Sequence, residues 1–171
     1  LPLLHKGKVR DIYEVDANHM LVIATDRISA FDVIMPEPIP NKGALLTLVS
    51  NFWFERFRDV IPNQVSTMKL SDLNLNHDEI EQAEGRSVIV KRLNALPIEA
   101  IVRGYLIGSG WKEYQSTQSL CGISLPANIP LAGKLPNTLF TPSTKAAAGE
   151  HDENITFEET VTLVGENIAN Q

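Results

Sequence analysis

Two hydrophobic periods alternate along the chain. Val9, Ile12, Tyr13 and Val15 form a β-rich segment, and Asp16-Ala17-Asn18-His19 supplies turn residues before a second strand over 20–25. A hairpin is the expected outcome. From 43 to 58 the period lengthens: Leu45, Leu48, Val49, Phe52, Trp53 and Phe57 recur at three- and four-residue spacing. That spacing predicts a helix whose apolar face packs on the sheet. Pro62 ends it, and the pattern then predicts a strand at 65–70, a polar stretch with a short helix at 71–84, and a strong strand at 86–93.

The run over 97–110, PIEAIVRGYLIGSG, begins as a strand. Ile98, Ala100 and Val102 share one face, Glu99, Ile101 and Arg103 the other. It breaks at Gly104 and ends in a Gly-Ser-Gly turn before a helix over about 111–116. Pro126, Pro130, Gly133, Pro136 and Pro142 then punctuate a long irregular segment, of the kind that is usually functional or mobile. Thr156 and Glu159 have capping-box spacing and open a closing helix that should bury Phe157, Val161, Val164 and Ile168.

Composition narrows the class. With 171 residues, 43% hydrophobic, the chain suffices for one full core, or one small lobe and part of another. A net charge of −6 offers no basic footprint for nucleic acid. The lone Cys121 cannot form an internal disulfide, and no apolar run reaches membrane-spanning length. A soluble cytoplasmic protein is expected.

Several polar constellations carry candidate chemistry. Arg103 on a strand face with Glu99, followed by Ser109 in a glycine-flanked turn at a helix start, suits a phosphorylated ligand. A surface Glu–Arg pair beside an ordinary turn accounts for the same residues. Lys6-Gly7-Lys8-Val9-Arg10 places three cations around a glycine at a strand entry, which can lie over a polyphosphate or simply defend a β-edge. It is not a Walker loop. Asp26, Arg27, Ser29 and Asp32 make a polar knot that reads locally as a side-chain-stabilised turn. His151-Asp152-Glu153 are adjacent in a loop, a spacing that argues against a preformed metal site.

Five of these motifs, in order, resemble the phosphoribosylaminoimidazole-succinocarboxamide synthase (SAICAR synthetase) family. They are GKVRDIY at 7–13, DRISAFD at 26–32, the strand and bend at 86–97, PIEAIVR with Gly-Ser at 97–109, and PSTK with HDENI at 142–155. The resemblance implies an α+β, two-lobed ATP-binding fold with a kinase-like antiparallel first lobe (1–92) and the start of an ATP-grasp-like second lobe (93–171). It implies a ligase that joins L-aspartate to carboxyaminoimidazole ribonucleotide (CAIR), using ATP and Mg2+ through an acyl phosphate. Gly7, Lys8, Val9 and Arg10 would then cover the ATP phosphates, while backbone groups of Lys91 and Leu93, at the interlobe hinge, hold adenine. Arg103 and Ser109 would bind the ribotide phosphate with Glu99 beside them, and Ser29 and Asp32 would belong to the substrate-site wall. Lys145 and Asp152 would face the reacting carboxylate and the incoming aspartate.

The family's second signature, with its metal-binding carboxylate, has no counterpart up to Gln171, so an N-terminal portion is expected. A protein kinase would share the lobe shape, but His-Arg-Asp and Asp-Phe-Gly triplets are absent. A nucleotide-binding module without turnover remains the alternative.

Overall fold

The computed structural model describes residues 1–31, 33–145 and 152–171. Helices and strands are mixed along the chain, which divides into two compact units, Leu1–Asn94 and Ala95–Gln171. Among the described residues no helix is long and apolar enough to cross a membrane.

In the first unit, β1 (Leu3–Lys6), β2 (Arg10–Glu14) and β3 (His19–Ala24) form an antiparallel meander. The expected hairpin is β2–β3; β1 is an added edge strand that the short apolar run at 1–4 did not signal. A two-residue hairpin follows, β4 (Ser29–Ala30) with β5 (Val33–Ile34). Then come α1 (Lys42–Arg56), a short 3-10 turn at Leu70–Asp72, α2 (His77–Ala83) and β6 (Ser87–Lys91). Strand β6 returns to pair with β3, so the sheet order is β1-β2-β3-β6.

Strand alternation gives this sheet two working faces. Leu21 and Ile89 are cross-strand partners, both buried, and pack with Leu73, Met68, Leu70 and Leu75 from the connecting segment. The neighbouring pair Val22 and Val88 lines a cavity with residues of α1. The strand expected at 65–70 is only a single bridge, Val65 to Val90, because the chain turns away at Leu70–Asp72 to cover the core.

Helix α1 forms where the periodicity places it, but with the opposite face inward. Its buried residues are Gly43 and Thr47. Leu45, Leu48, Val49, Phe52, Trp53 and Phe57 are all 46–68% exposed. The physical reason lies at Gly43, where an added Cβ would sit 2.1 Å from the Ala24 carbonyl oxygen. So close a backbone approach admits only a small residue, which turns the aromatic stripe away from the unit's own sheet. The helix start is fixed from a distance: Asp26 accepts from the Gly43 amide at 2.9 Å and the Asn41 amide at 3.1 Å. Those amides, Gly43 first, and the Arg86 guanidinium hold the Asp26 carboxyl below its ordinary range.

In the second unit the single strand expected from 98 is two: β7 (Ile98–Glu99) and β8 (Val102–Tyr105). Gly104 does not break the run but lies inside β8. After α3 (Ser109–Thr117), the hairpin β9 (Ser119–Leu120) and β10 (Ile123–Ser124) leads to β11 (Lys134–Phe140) and β12 (Ser143–Thr144). Strand β8 pairs with β11 and β7 with β12. Between the two ladders Thr141 donates its amide to Ile101 O at 2.8 Å, while its carbonyl accepts from the Arg103 guanidinium at 3.0 Å. The proline-punctuated segment is thus more regular than expected, with Pro136 inside β11.

Leu106, Tyr114, Leu120, Cys121 and Leu135 form this unit's core, and the Tyr114 hydroxyl donates to Pro126 O at 2.7 Å. The capping box at Thr156 is present, with both reciprocal bonds, and opens α4 (Phe157–Val164). The expected closing helix nonetheless stops at Gly165, and Ile168 lies on a separate short helix, α5 (Glu166–Ala169). Phe157 and Ile168 are exposed; Thr160 and Ile155 are the buried residues here.

Candidate functional site

The cationic glycine stretch is the turn from β1 into β2. The Gly7 amide donates to Arg10 O at 2.7 Å, and a Cβ at Gly7 would meet that oxygen at 3.0 Å. Thr25 grips the same turn, donating to Val9 O from its amide at 3.0 Å and its hydroxyl at 2.8 Å. Arg27 donates to the carbonyls of Gly7 (3.0 Å) and Lys8 (3.1 Å) and makes a two-point contact with Asp11 at 2.7 and 3.1 Å.

Behind this turn, between the sheet and α1, lies a cavity of about 430 Å³. Val9, Val22, Ala24 and Val88 give it apolar walls, and Arg10 and Lys42 bring two cations to its lining. Lys91 and Leu93 are not in that lining. The Lys91 amide donates to Gln64 O at 2.8 Å and its ammonium to Asn63 O at 3.4 Å; Leu93 is exposed beyond the end of β6.

The polar knot at 25–34 is divided among three tasks. Asp26 holds α1, Arg27 holds the glycine turn, and Ser29 sits in the β4–β5 hairpin opposite Ile34. Phe31 at that hairpin's tip is fully exposed with φ 48°; Asp32 lies outside the described residues.

In the second unit Arg103 and Ser109 are brought together, as their spacing suggested. Arg103 donates to the Ser109 hydroxyl at 3.4 Å, and its other terminal nitrogen donates to Thr141 O at 3.0 Å and Thr141 Oγ1 at 2.5 Å. Ser109 opens α3, after Gly108 at φ 64°. Glu99 is paired with Lys145 at 3.9 Å, so the surface pair drawn between Glu99 and Arg103 is replaced by one joining Glu99 to another candidate site residue. The Lys145 amide is also fastened to Pro97 O, at 3.1 Å.

Behind Ser109 stands a group that spacing alone did not reveal. Asn154 accepts from the Ser109 hydroxyl at 3.5 Å and donates to Glu113 at 2.7 Å, and Glu113 also accepts from the Cys121 amide at 2.8 Å. The segment holding Asn154 runs along β12, with Thr144 donating to Glu153 O at 2.8 Å. Asp152 begins that segment; Gly149, Glu150 and His151 lie outside the described residues. Thr141 was visible only as a polar letter in a loop and Asn154 only as a member of the HDENI motif, while Glu113 sits one helical turn from Ser109, a spacing that could have flagged it. Burial, then the Glu113 carboxylate, pushes the Cys121 thiol up to about 11. Among the described residues no three His, Cys, Asp or Glu side chains gather into a metal site.

The family model described as SAICAR synthetase matches residues 3–171. The chain is 56% identical, over its whole length, to a phosphoribosylaminoimidazole-succinocarboxamide synthase from Thioalkalivibrio sulfidiphilus, of which it covers 58%. It is 57% identical over 99% of its length to that of Methylococcus capsulatus, covering 57% of it. A solved SAICAR synthase from Saccharomyces cerevisiae, complexed with SAICAR, shares 42% identity with a TM-score of 0.87 over 99% of this chain and 57% of its own. The chain therefore spans somewhat more than half the length of the relatives it matches.

Proposed function

Because the chain belongs to the SAICAR synthetase family, we propose that it supplies nucleotide- and ribotide-binding parts of an ATP-dependent ligase of purine biosynthesis. The reaction joins L-aspartate to CAIR, giving SAICAR, ADP and phosphate. Carboxylates resist amines, so ATP serves to convert the CAIR carboxylate into an acyl phosphate with a competent leaving group. In this reading the fold is a kinase-like antiparallel lobe followed by the beginning of an ATP-grasp-like lobe, in a cytoplasmic enzyme.

The observation that carries the reading is the convergence of Arg103 and Ser109 at the start of α3. Thr141 holds one guanidinium nitrogen, leaving the arm beside Ser109 to meet a phosphate together with the hydroxyl and the helix start. Glu99 and Lys145, paired with each other, and Asp152 would orient the carboxylate and the incoming amine. Ser29 and Asp32 would complete the wall of the substrate site.

The turn at Gly7, Lys8, Val9 and Arg10 would cover the phosphates of ATP. The cavity beside Val9 and Arg10 has the apolar walls and cationic lining that a nucleotide requires. Backbone groups of Lys91 and Leu93 would serve the base. Mg2+ enters as the companion ion of ATP, partly neutralising its phosphates.

Arg103→Lys tests the ribotide role in protein of the relatives' full length. An ammonium cannot reproduce the guanidinium's geometry, so the Michaelis constant for the ribotide should rise roughly tenfold, about 1.4 kcal/mol, while that for ATP barely moves. Unchanged kinetics with a lowered melting temperature, in this variant and in Ser109→Ala, would make the pair scaffold. A second reading, for the 171-residue chain by itself, is nucleotide binding without turnover. Phosphate release by the 171-residue chain, given ATP, aspartate and CAIR, would exclude it.

A further inference from the structure

Arg27 makes a set of contacts that the ligase reading leaves unused. Its guanidinium bridges β2 and the glycine turn: Asp11 takes two nitrogens, and the carbonyls of Gly7 and Lys8 take two donated bonds. Both side chains of the ion pair are largely enclosed, 25% and 15% exposed. Because Arg27 directly follows Asp26, the anchor of α1, its backbone position is set by the helix start as well as by the strand.

We propose that Arg27 is a positioning residue for the phosphate-covering turn, its guanidinium fixing the backbone of Gly7 and Lys8 in one shape. The inference rests on the reading that this turn meets the phosphates of a nucleotide.

The chemistry follows from where the lone pairs go. A carbonyl oxygen facing a phosphate repels it, and a glycine-containing turn has many shapes in which a carbonyl does so. Bonding both carbonyls to one planar cation removes those shapes and fixes the oxygens on the Arg27 side of the turn. Asp11 balances the charge of Arg27, and its hydrogen bond raises the affinity of the guanidinium for its proton. The turn and its flanks also carry Lys6, Lys8 and Arg10. A lysine at 27 could reach one partner but not span all three.

The test uses amide exchange and binding on the 171-residue chain. In Arg27→Gln the Gly7 amide, bonded to Arg10 O, should exchange at least tenfold faster, while the amides paired across Tyr13 and Leu21 keep their protection. Affinity for ATP with Mg2+, and for inorganic tripolyphosphate, should fall at least tenfold in the same variant and in Arg27→Lys. The double variant Asp11→Asn/Arg27→Gln removes one charge of each sign and should keep both losses. Recovery of wild-type affinity in that variant would show that charge alone acted, and would overturn the positioning role. So would unchanged Gly7 exchange in Arg27→Gln, or equal acceleration across the whole sheet. If the unaltered chain binds neither ATP nor tripolyphosphate, the nucleotide reading of the turn fails, and the exchange data alone decide whether Arg27 fixes its shape.

Discussion

Cys121 lies in the second unit's core, its thiol donating to Pro142 O at 3.6 Å and its amide held by Glu113. Burial keeps the thiol protonated to about pH 11, whereas an unfolded thiol ionises near 9. Between these values the unfolded chain releases a proton that the folded chain keeps. Stability contributed by the protonated thiol is therefore intact below about pH 9 and is lost as pH climbs toward 11, on the order of 2 kcal/mol in all. The difference in melting temperature between wild type and Cys121→Ala should shrink from pH 8 to pH 10.5. A difference that stays constant across that range would mean the thiol ionises no later than in the unfolded chain.

Single residues were legible in the sequence where their chemistry is local. Arg103 and Ser109 meet because six residues of strand end and turn separate them. Asp26 and Arg27 read as a turn, since nothing in a linear pattern says that their partners are Gly43, Arg86, Gly7 and Asp11, on other elements.

At the scale of elements, the seating of α1 rests on one missing methyl group. Gly43→Ala would drive a Cβ into the Ala24 carbonyl, and backbone cannot yield there as a side-chain tip could. We expect a loss of about 1–3 kcal/mol or more in chemical denaturation, far beyond the small gain that alanine brings to an open helix. A midpoint equal to or above wild type would show that the helix can ride outward at little cost. Periodicity located α1 well, because spacing reports which residues share a face. It put the wrong face on the sheet, since an apolar stripe and a close backbone approach both favour burial and only one can win. The same limit explains β7 and β8. Alternation ran unbroken through 98–103, and the interruption falls opposite Thr141, some forty residues away, whose carbonyl is taken by the Arg103 side chain.

At the scale of the molecule, the outward face of α1 is an aromatic surface. Trp53 stacks on Phe57 with centroids 5.5 Å apart and meets Phe52 edge-on at 5.2 Å, while Leu45 and Leu48 extend the patch. Exposed apolar area on this scale binds other apolar matter. The 171-residue chain should enhance the fluorescence of an apolar dye, and Leu48→Lys/Phe52→Lys should remove most of that signal while stability changes by less than about 0.5 kcal/mol. An unaltered signal would place the dye elsewhere. Family membership was the most legible property of all, because its motifs lie in order along one line, which is the only geometry a sequence has.

The sheet order has a consequence for the chain as it is made. Strands β1, β2 and β3 are neighbours in sequence and can zip as they emerge, but β6, the partner of β3, follows about 60 residues later. At roughly 5–20 residues per second, ribosomal synthesis leaves the open edge of β3 waiting for some 3–12 seconds. During that interval the hydrogen-bonding groups of Met20, Val22 and Ala24, which face away from β2, have no strand beside them, and a second nascent chain offers the same sequence. Crowded polysomes would be the place where this protein first goes wrong, and slowing translation between 25 and 86 should lower its yield of folded chains more than slowing it after 91.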